Sequence, residues 1–451
     1  MVNKSQLAKL GLFDAKVPRY TSYPTAPHFS GDVSPETVQD WIGQISPGSS
    51  ISLYVHVPFC RRLCWFCACR TQGTQSDVPV RAYLKTLLSE LELLSQHLPE
   101  GVKLSRLHWG GGTPTLMDSG MLTTLAAAVR EVAPFAEGAE FSVEIDPNEV
   151  DEARLDALAA AGMNRASIGV QDFDTEIQKA IGRLQGYDIT RHAADMIRDR
   201  GIASLNADIL FGLPHQSKSR ITDSVQKLLA LNPDRVALYG YAHVPWMARR
   251  QSMIPSDALP TPQERLELFE TARRLFLWDG YHEIGIDHFA RPDDGLSVAQ
   301  ANGTLRRNFQ GYTDDTSDVL IGVGASSISR FPQGFAQNAP ATSVHTGEIR
   351  NGRFSVSRGH SFTADDRLRG RMIEALMCDF RIDSHELTKQ FGVTASKLND
   401  LYQRAERDFP GLLRVTEAGI YIPQEARALT RMIARSFDAY DLSKAGHSSA
   451  I

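Results

Sequence analysis

Residues 54–69 read YVHVPFCRRLCWFCAC, and this stretch decides how the rest of the chain is interpreted. It holds four of the five cysteines, and the fifth lies in the last quarter of the sequence. Cys60, Cys64 and Cys67 follow the spacing C-x3-C-x2-C, and Cys69 comes directly afterwards as C-x-C. A β-rich run precedes them, so the cysteines are predicted to lie on a loop after a strand. Such clustering indicates a metal centre rather than a disulfide framework.

The spacing of these cysteines narrows the choice of metal. A structural zinc site normally has four protein ligands, often as two separated C-x2-C pairs, and the chain has no second pair. A [4Fe–4S] cluster can be held by cysteine thiolates on a compact loop. If only Cys60, Cys64 and Cys67 bind, one iron keeps an open position, as catalytic metal sites do. Cys69 shares a face with Cys67 in an extended loop, but the short-loop pattern is complete without it.

The composition excludes several classes of protein. With 451 residues, 42% of them hydrophobic and 22% charged, the chain can bury a large core and form more than one domain. No apolar run approaches the roughly 20 residues that span a bilayer, and the first residues lack the apolar region of a signal peptide. Together with the clustered cysteines, this predicts a cytoplasmic protein without a membrane span. A net charge of −5 without a long basic run makes nucleic acid a poor candidate partner.

The order of segments along the chain predicts an α/β fold. Residues 1–50 are predicted to form an arm over the main body, because residues 18–25 (PRYTSYPT) have neither a helical nor a strand period. From residue 51 onward, strand-like and helix-like stretches alternate, which predicts parallel βαβ units. Six or seven units indicate a partial (β/α)6-type open barrel. The predicted strands are residues 51–57, 104–109, 140–145, 165–170, 203–210, 235–239 and 281–286.

Polar residues follow the predicted strands at the end where a barrel carries its active site. Any one of them could be a helix cap, but their repetition at one edge of the sheet indicates a ligand site. Residues 110–115 (GGGTPT) follow the second strand and either form a tight turn or let the backbone approach a ligand closely. The other strand ends carry Glu144, Asp146, Gln171, Asp172, Asp208, Tyr241, Ala242 and His243.

The βα alternation stops near residue 285. Two strings follow, residues 305–313 (LRRNFQGYT) and 320–329 (LIGVGASSIS), which predict a glycine-rich loop and a strand. They complete a core domain that is predicted to span residues 51–360. Residues 361–451 predict a separate, mainly helical domain.

The predicted C-terminal domain has a winged-helix outline. Successive helical stretches, one of them capped by Ser384, lead to a predicted hairpin at residues 412–422. Winged helices can bind DNA, but this segment is not notably basic, which favours a lid or packing domain. Cys378 lies among apolar residues and is predicted to be a buried structural thiol.

The motifs together resemble a known group of enzymes. C-x3-C-x2-C directly after a strand, with GGGTP after the next strand, resembles the radical S-adenosylmethionine (SAM) superfamily. In that superfamily the open iron binds the amino and carboxylate groups of SAM, and one electron cleaves SAM to methionine and a 5′-deoxyadenosyl radical. Tyr54, Phe66, Cys69 and the strings RYTSYPT, NFQGYT and GVGASSIS resemble the oxygen-independent coproporphyrinogen III oxidases. This second resemblance covers residues 17–440.

The resemblance implies a set of cofactors and the residues that hold them. A [4Fe–4S] cluster is implied on Cys60, Cys64 and Cys67, with two molecules of SAM, and no side chain is assigned a catalytic role beyond these groups. The positions implied to contact the SAM on the cluster are Tyr54, Phe66, Gly111 and Glu144. The other implied SAM contacts are Gly112, Thr113, Gln171, Arg183, Asp208, Ala242 and Ile328.

The resemblance also implies a reaction. Two propionates of coproporphyrinogen III become vinyl groups without oxygen, giving protoporphyrinogen IX in haem biosynthesis. The adenosyl radical would take a hydrogen from the propionate β-carbon, carbon dioxide would leave, and one electron would pass to an acceptor. A reduced flavodoxin or ferredoxin-type electron donor is implied, and a monomer is expected. Arginine suits carboxylate substrates because its planar fork makes paired hydrogen bonds, and the candidates are Arg19, Arg249, Arg250, Arg306 and Arg307.

Two other classes of function stay open on the sequence. A haem chaperone could use the same scaffold to bind haem without turnover, although relatives of that kind lack a cysteine at the position of Cys69. A structural zinc protein with a winged-helix DNA module would bind DNA in a salt-dependent way. The cysteine spacing disfavours this last hypothesis.

Overall fold

The fold is described from a computed structural model, which describes residues 4–441 and 449–451. The first three residues of the predicted arm and residues 442–448 of the predicted C-terminal domain therefore lie outside the described residues. The strands are β1 (Ser50–Val57), β2 (Phe59–Cys60), β3 (Gln72–Gly73), β4 (Lys103–Gly111), β5 (Phe135–Ile145), β6 (Arg165–Gln171), β7 (Ser204–Phe211), β8 (Arg235–Gly240), β9 (His282–Ile284), β10 (His288–Ala290), β11 (Arg306–Asn308), β12 (Gly311–Thr313), β13 (Leu320–Val323), β14 (Ile328–Phe331), β15 (Gly334–Asn338), β16 (Val356–Ser361), β17 (Arg381–Asp383), β18 (Arg414–Thr416) and β19 (Gly419–Tyr421).

Helices occupy most of the connections between these strands. The α-helices are α1 (Lys4–Lys9), α2 (Pro35–Gly43), α3 (Val78–Ser95), α4 (Ser119–Val132), α5 (Glu152–Ala160), α6 (Thr175–Ala180), α7 (Tyr187–Asp199), α8 (Lys218–Ala230), α9 (Pro262–Trp278), α10 (Gly295–Ala301), α11 (Thr342–Arg350), α12 (Ala364–Asp379), α13 (Ser384–Phe391), α14 (Ala395–Asp408) and α15 (Thr430–Arg435). Among the described residues, no helix combines the length and apolar character that crossing a membrane requires.

The main sheet has the strand order β16-β15-β14-β13-β1-β4-β5-β6-β7-β8-β10-β9. Strands β1, β4, β5, β6, β7 and β8 are neighbours in sequence order and pair in parallel. Parallel neighbours need crossover connections, and helices provide them here. This confirms the predicted α/β fold with a partial (β/α)6-type open barrel, because the two ends of the parallel series do not pair with each other.

Both faces of the parallel strands are covered, and the two faces differ in chemistry. Ile51, Leu53 and Val55 of β1 are buried in the core shared with the outer helices. Because successive side chains of a strand point to opposite faces, Tyr54 and His56 point to the inner face of the barrel. The same alternation puts His108 of β4, Glu144 of β5 and Asp208 of β7 on the inner face.

The sheet differs from the sequence prediction at both edges. Residues 281–286 were expected to begin another βα unit, but β9 pairs antiparallel with β10 at the open edge. At the other edge, β13 lies parallel beside β1, and β14, β15 and β16 extend the sheet in antiparallel order. The sequence predicted only a loop and a strand there, because these strands are short and their neighbours lie far apart in the sequence.

The C-terminal residues form the predicted winged-helix outline. Helices α12, α13 and α14 accompany a three-stranded sheet in the order β17-β19-β18. The predicted cap of α13 is wrong by one residue. Asp383 precedes the helix and accepts hydrogen bonds from the backbone N–H groups of His385 and Glu386, so Ser384 is the first helical residue.

The N-terminal arm packs against two different parts of the molecule. Leu12, Phe13 and Tyr20 belong to the hydrophobic cluster of the C-terminal helices. Trp41 and Ile42 of α2 belong to the cluster of the barrel. The arm therefore links the two, and the division of the chain at residues 50 and 360 stays a prediction.

Candidate active site

The cysteine loop leaves the barrel at the carboxyl end of β1 and is closed at its base. β2 pairs in parallel with β3, so residues 61–71 form a loop between two paired segments. Cys60, Cys64 and Cys67 are half-buried free thiols, and Cys69 is exposed. The loop is also held from outside, since the Trp65 N–H donates to the Ile181 carbonyl at 2.9 Å.

The environment of the thiols favours thiolate formation at one position. Burial raises the pKa of Cys60 to about 11. A hydrogen bond from the Cys69 side chain lowers the pKa of Cys67 to about 6, although burial acts in the opposite direction. The guanidinium of Arg183 donates to the Cys64 sulfur at 3.4 Å. Metal ligands must be deprotonated, so positive charge beside Cys64 suits a cluster of bound thiolates.

The three cysteines of the loop suit a [4Fe–4S] cluster. In the part of the chain that the structure describes, no three His, Cys, Asp or Glu side chains converge as they would around one metal ion. Each thiolate of a [4Fe–4S] cluster binds a different iron, so its three cysteines need not converge on one point. Three half-buried cysteines on one loop fit that requirement.

The glycine turn after β4 is packed against the base of the cysteine loop. The Gly112 N–H donates to the Val57 carbonyl, and the Thr113 N–H donates to the Phe59 carbonyl, both at 2.8 Å. A Cβ atom at Gly112 would lie 2.4 Å from the Phe59 carbonyl oxygen. The turn therefore requires glycine at this position because two backbones approach each other closely.

Glu144 anchors the polar inner face beside this turn. Its carboxylate accepts the Gly111 N–H at 3.0 Å and lies 3.4 Å from His108 Nε2. Burial works to raise the pKa of Glu144, but the hydrogen bonds from His108 and Gly111 hold it below its usual range. Tyr54 stacks on the His108 ring, with centroids 5.7 Å apart, and contacts His56 Nδ1 through its hydroxyl at 3.0 Å. An ionised carboxylate is thus fixed at the edge of the cysteine loop.

A second polar group lies at the ends of β6 and β7. Arg183 donates to the Gly169 carbonyl at 3.0 Å, and its Nη1 lies 3.5 Å from Asp146. Gln171 ends β6 with a left-handed backbone (φ +67°). Burial raises the pKa of Asp208 to about 6, against a hydrogen bond from Asn206. Arg183 was ambiguous in the sequence because a helix-end arginine is usually exposed, and the structure buries it beside Cys64.

Gln251 links the cysteine loop to the end of β8, and no pattern in the sequence points to this role. Its side chain is 1% exposed and donates to the carbonyls of Phe66 at 2.8 Å and Ala242 at 3.0 Å. Two predicted SAM contacts that are far apart in the sequence are therefore held by one amide. His56 and His108 were also missed, because a histidine inside a strand has no distinctive spacing.

Ile328, at the start of β14, is the predicted contact most distant in sequence. Gly322 of β13 is in register with Tyr54 of β1. A Cβ atom at Gly322 would lie 2.9 Å from the Ile328 carbonyl oxygen. Ile328 of β14 is therefore separated from Tyr54 of β1 by a single strand, β13. Contact of SAM with this and the other ten residues stays a prediction.

The five candidate arginines have different surroundings. Arg250 braces the cysteine loop, because it donates to the Cys69 carbonyl at 3.2 Å and to Thr71 Oγ1 at 3.0 Å. Arg306 pairs with Glu374 at 3.1 Å. Arg19 and Arg307 line a large cavity, and Arg249 does not.

Comparison with known proteins agrees with this arrangement. Residues 54–228 match the model of the radical SAM superfamily. This match agrees with the open α/β barrel and the three-cysteine loop described above. The oxygen-independent coproporphyrinogen III oxidase of Paracoccus denitrificans is 67% identical over 451 residues, which is 100% of both chains. The enzyme of the same name from Escherichia coli K12 is 37% identical and covers 97% of this chain and 96% of its own.

A solved structure extends the likeness to three dimensions. The coproporphyrinogen III oxidase of Escherichia coli, described as a radical SAM enzyme, superimposes with a TM-score of 0.89 at 36% identity, covering 95% of this chain and 100% of its own. The chain belongs to the oxygen-independent coproporphyrinogen III oxidase family. It is therefore a radical SAM oxidoreductase, with a [4Fe–4S] cluster and SAM as its cofactors. The relatives are named as oxidases, which favours the enzyme over a haem chaperone.

Proposed function

We propose that this chain carries out the oxygen-independent oxidative decarboxylation of coproporphyrinogen III, converting two propionates to vinyl groups and giving protoporphyrinogen IX. The observation that carries the proposal is the full-length likeness to the Paracoccus denitrificans oxidase, whose name states the substrate. Hydrogen bonds join the cysteine loop, the glycine turn and Glu144 in this chain, which supports the same decarboxylation chemistry.

Cys60, Cys64 and Cys67 would hold the cluster, with Cys69 outside the ligand set. When bound, the cluster and SAM supply a 5′-deoxyadenosyl radical that can take a hydrogen atom from an unactivated carbon. Glu144 is ionised and fixed by Gly111 and His108, so it can accept hydrogen bonds from an ammonium group.

We also propose that two molecules of SAM bind. Two separate polar groups support this: one beside the cysteine loop and one around the ends of β6, β7 and β8. The first group consists of Tyr54, Phe66, Gly111 and Glu144. The second group consists of Gln171, Arg183, Asp208 and Ala242. Gly112 and Thr113 belong to the glycine turn beside the cysteine loop, and Ile328 is a further contact on the other side of β1.

The remaining steps concern the substrate and the electron. Each propionate gives up one hydrogen atom from its β-carbon, its carboxylate leaves as carbon dioxide, and one electron passes to an acceptor. A reactive carbon radical requires that water be kept from it during the reaction. We propose a reduced flavodoxin or ferredoxin-type protein as the electron donor, a monomer as the working unit, and the cytoplasm as the location, because free thiols suit a reducing compartment.

An anaerobic turnover assay tests the proposed reaction. Reconstituted protein is incubated with SAM, a reductant and coproporphyrinogen III, and the porphyrins are separated by chromatography. Protoporphyrinogen is expected from the natural chain and is expected to be absent with Cys64→Ala, because that variant loses one cluster ligand.

Cys378→Ala is the matched control, since this thiol is buried in a hydrophobic cluster outside the cysteine loop. It is expected to retain bound iron and turnover. No porphyrin product from the natural chain, despite an intact cluster and SAM cleavage, would contradict the proposed function.

A further inference from the structure

A cavity of about 890 Å³ lies between the carboxyl end of β8, helix α9 and the C-terminal helices. This volume falls within the range of about 300–1,000 Å³ that is usual for pockets that hold small molecules. The cavity reaches Gly240, Tyr241 and Ala242, so it opens towards the active site. Seven described arginines line it. We call four of them the arginine cluster: Arg19 of the arm, Arg265 of α9, Arg307 of β11 and Arg431 of α15.

Three members of the arginine cluster have only backbone partners. Arg19 donates to the Gly240 carbonyl at 2.6 Å. Arg265 donates to the Tyr241 carbonyl at 2.8 Å and to the Ile451 carbonyl at 3.1 Å. Arg431 donates to the carbonyls of Val17, Pro18, Ser449 and Ala450. Among the described residues, no Asp or Glu side chain forms an ion pair with these three guanidinium groups, and Asp287 is the carboxylate whose charge acts on Arg19 and Arg431.

Arg307 is the most informative member. Its side chain is 4% exposed, and its nearest carboxylate, Asp287, lies 4.0 Å from Nη1. Neither Nε nor Nη1 of Arg307 has a hydrogen-bond partner in the described part of the chain. Leaving buried donors unsatisfied costs free energy, and a ligand that accepts both hydrogen bonds would remove this cost.

Asp287 is the carboxylate that acts on the arginine cluster, because its charge works to raise the pKa of Arg19, Arg307 and Arg431. Asp287 is shared with His288, whose Nδ1 lies 2.6 Å away. Burial, and then the charge of Arg19, lowers the pKa of Arg431 to about 9 and that of Arg265 to about 10.

The acidic side chains at the far end of the cavity have their own cationic partners. Glu283 binds Arg273 through two hydrogen bonds of 2.8 Å, and Glu270 lies 3.7 Å from the same guanidinium. Glu283 and Glu270 are therefore already paired with a cation outside the arginine cluster.

We propose that the arginine cluster binds a carboxylate of the substrate, namely a propionate that is not the one undergoing reaction. This inference rests on the proposed function. A carboxylate accepts paired hydrogen bonds from the fork of an arginine. Arg307 lines the cavity and has two buried donors without a partner among the described residues. Holding one propionate here fixes how the ring lies and therefore which other propionate faces the active site.

Binding of coproporphyrin III, the stable oxidised form of the substrate, tests without turnover whether the arginine cluster binds a propionate. Its affinity is measured by fluorescence titration with the cluster-loaded natural chain, with Arg307→Gln and with Arg19→Gln. Arg307→Gln is expected to weaken binding by about 30-fold or more, as loss of one partner from a buried charge pair does. The same variant is expected to raise KM for coproporphyrinogen III more than it lowers kcat, with substrate-free SAM cleavage unchanged.

Arg371→Gln is the matched control. Arg371 is similarly buried at 10% side-chain exposure, but it faces Glu386 and does not line the cavity. We expect its affinity for coproporphyrin III to stay within about twofold of the natural value. If Arg307→Gln fails to fold, judged by circular dichroism, Arg19→Gln decides, because Arg19 makes a single hydrogen bond to Gly240 among the described residues.

The outcomes separate propionate binding by the arginine cluster from the proposed function. Equal affinity of the natural chain and the folded cavity variants for coproporphyrin III would overturn this binding role, whatever the turnover. Arg307-dependent binding without any decarboxylation would support the binding role and contradict the proposed reaction.

Discussion

Asp208 is the carboxyl group on the inner face whose ionisation is most sensitive to pH near neutrality. Burial raises its pKa to about 6, and the charge of Glu144 adds to this effect while the Asn206 hydrogen bond opposes it. The folded protein thus holds this proton more tightly than the unfolded chain, where the pKa is about 3.9. Ionisation of Asp208 therefore costs stability as the pH rises from about 4 through 6.

The same carboxyl group gives a prediction about SAM. If ionised Asp208 contacts SAM, affinity for SAM is expected to fall as the pH drops through about 6, because protonation removes the negative charge. Asp208→Asn is expected to bind SAM more weakly at neutral pH and to lose this pH dependence. Isothermal titration from about pH 5 to pH 8 measures both effects. An unchanged pH profile in the variant would exclude Asp208 as the titrating group.

At the scale of elements, the glycine turn after β4 and the cysteine loop after β1 behave as one unit. A methyl group at position 112 would meet the Phe59 carbonyl at 2.4 Å, so one of the two backbones must move. Gly112→Ala is expected to reduce stability by about 1–3 kcal/mol and to lower the iron content after reconstitution. Chemical denaturation and iron analysis measure the two effects.

Gly120→Ala provides the comparison for that prediction. Gly120 lies in the first turn of α4, where a Cβ atom would make an ordinary contact of 3.4 Å with Asp118. Alanine is a better helix former than glycine, so iron content and stability are expected to be kept or improved. Equal iron loss in both variants would contradict the role assigned to the turn.

At the scale of the whole molecule, the arm and the C-terminal helices share one hydrophobic cluster. Leu12 of the arm is fully buried in it. Leu12→Ala is expected to cost about 3 kcal/mol and to expose the arm and the C-terminal helices to proteolysis together. Lys9→Ala, an exposed position of the same segment, is expected to have no effect. Cleavage confined to the arm would contradict a shared cluster.

The sequence predicted the parts of the fold and the site that depend on local spacing. Few structures are compatible with the local patterns of the three cysteines, the glycine turn and the alternating strands. The antiparallel edge formed by β13–β16 was missed because its position depends on pairing with β1, which no local pattern records. Arg265 and Arg431 were missed for a related reason: each reads as an ordinary charged residue of a helix, and only the tertiary fold buries it.

The four arginines of the arginine cluster come from distant parts of the chain, and this affects the order in which the sites of the protein form. The ribosome completes the cysteine loop early. The arginine cluster lacks its last member until Arg431 has been synthesised, after the entire barrel. A nascent chain could therefore acquire its iron–sulfur centre well before it has a complete pocket for a tetrapyrrole carboxylate. The site for radical chemistry would then form first, and the site that binds the substrate would form last.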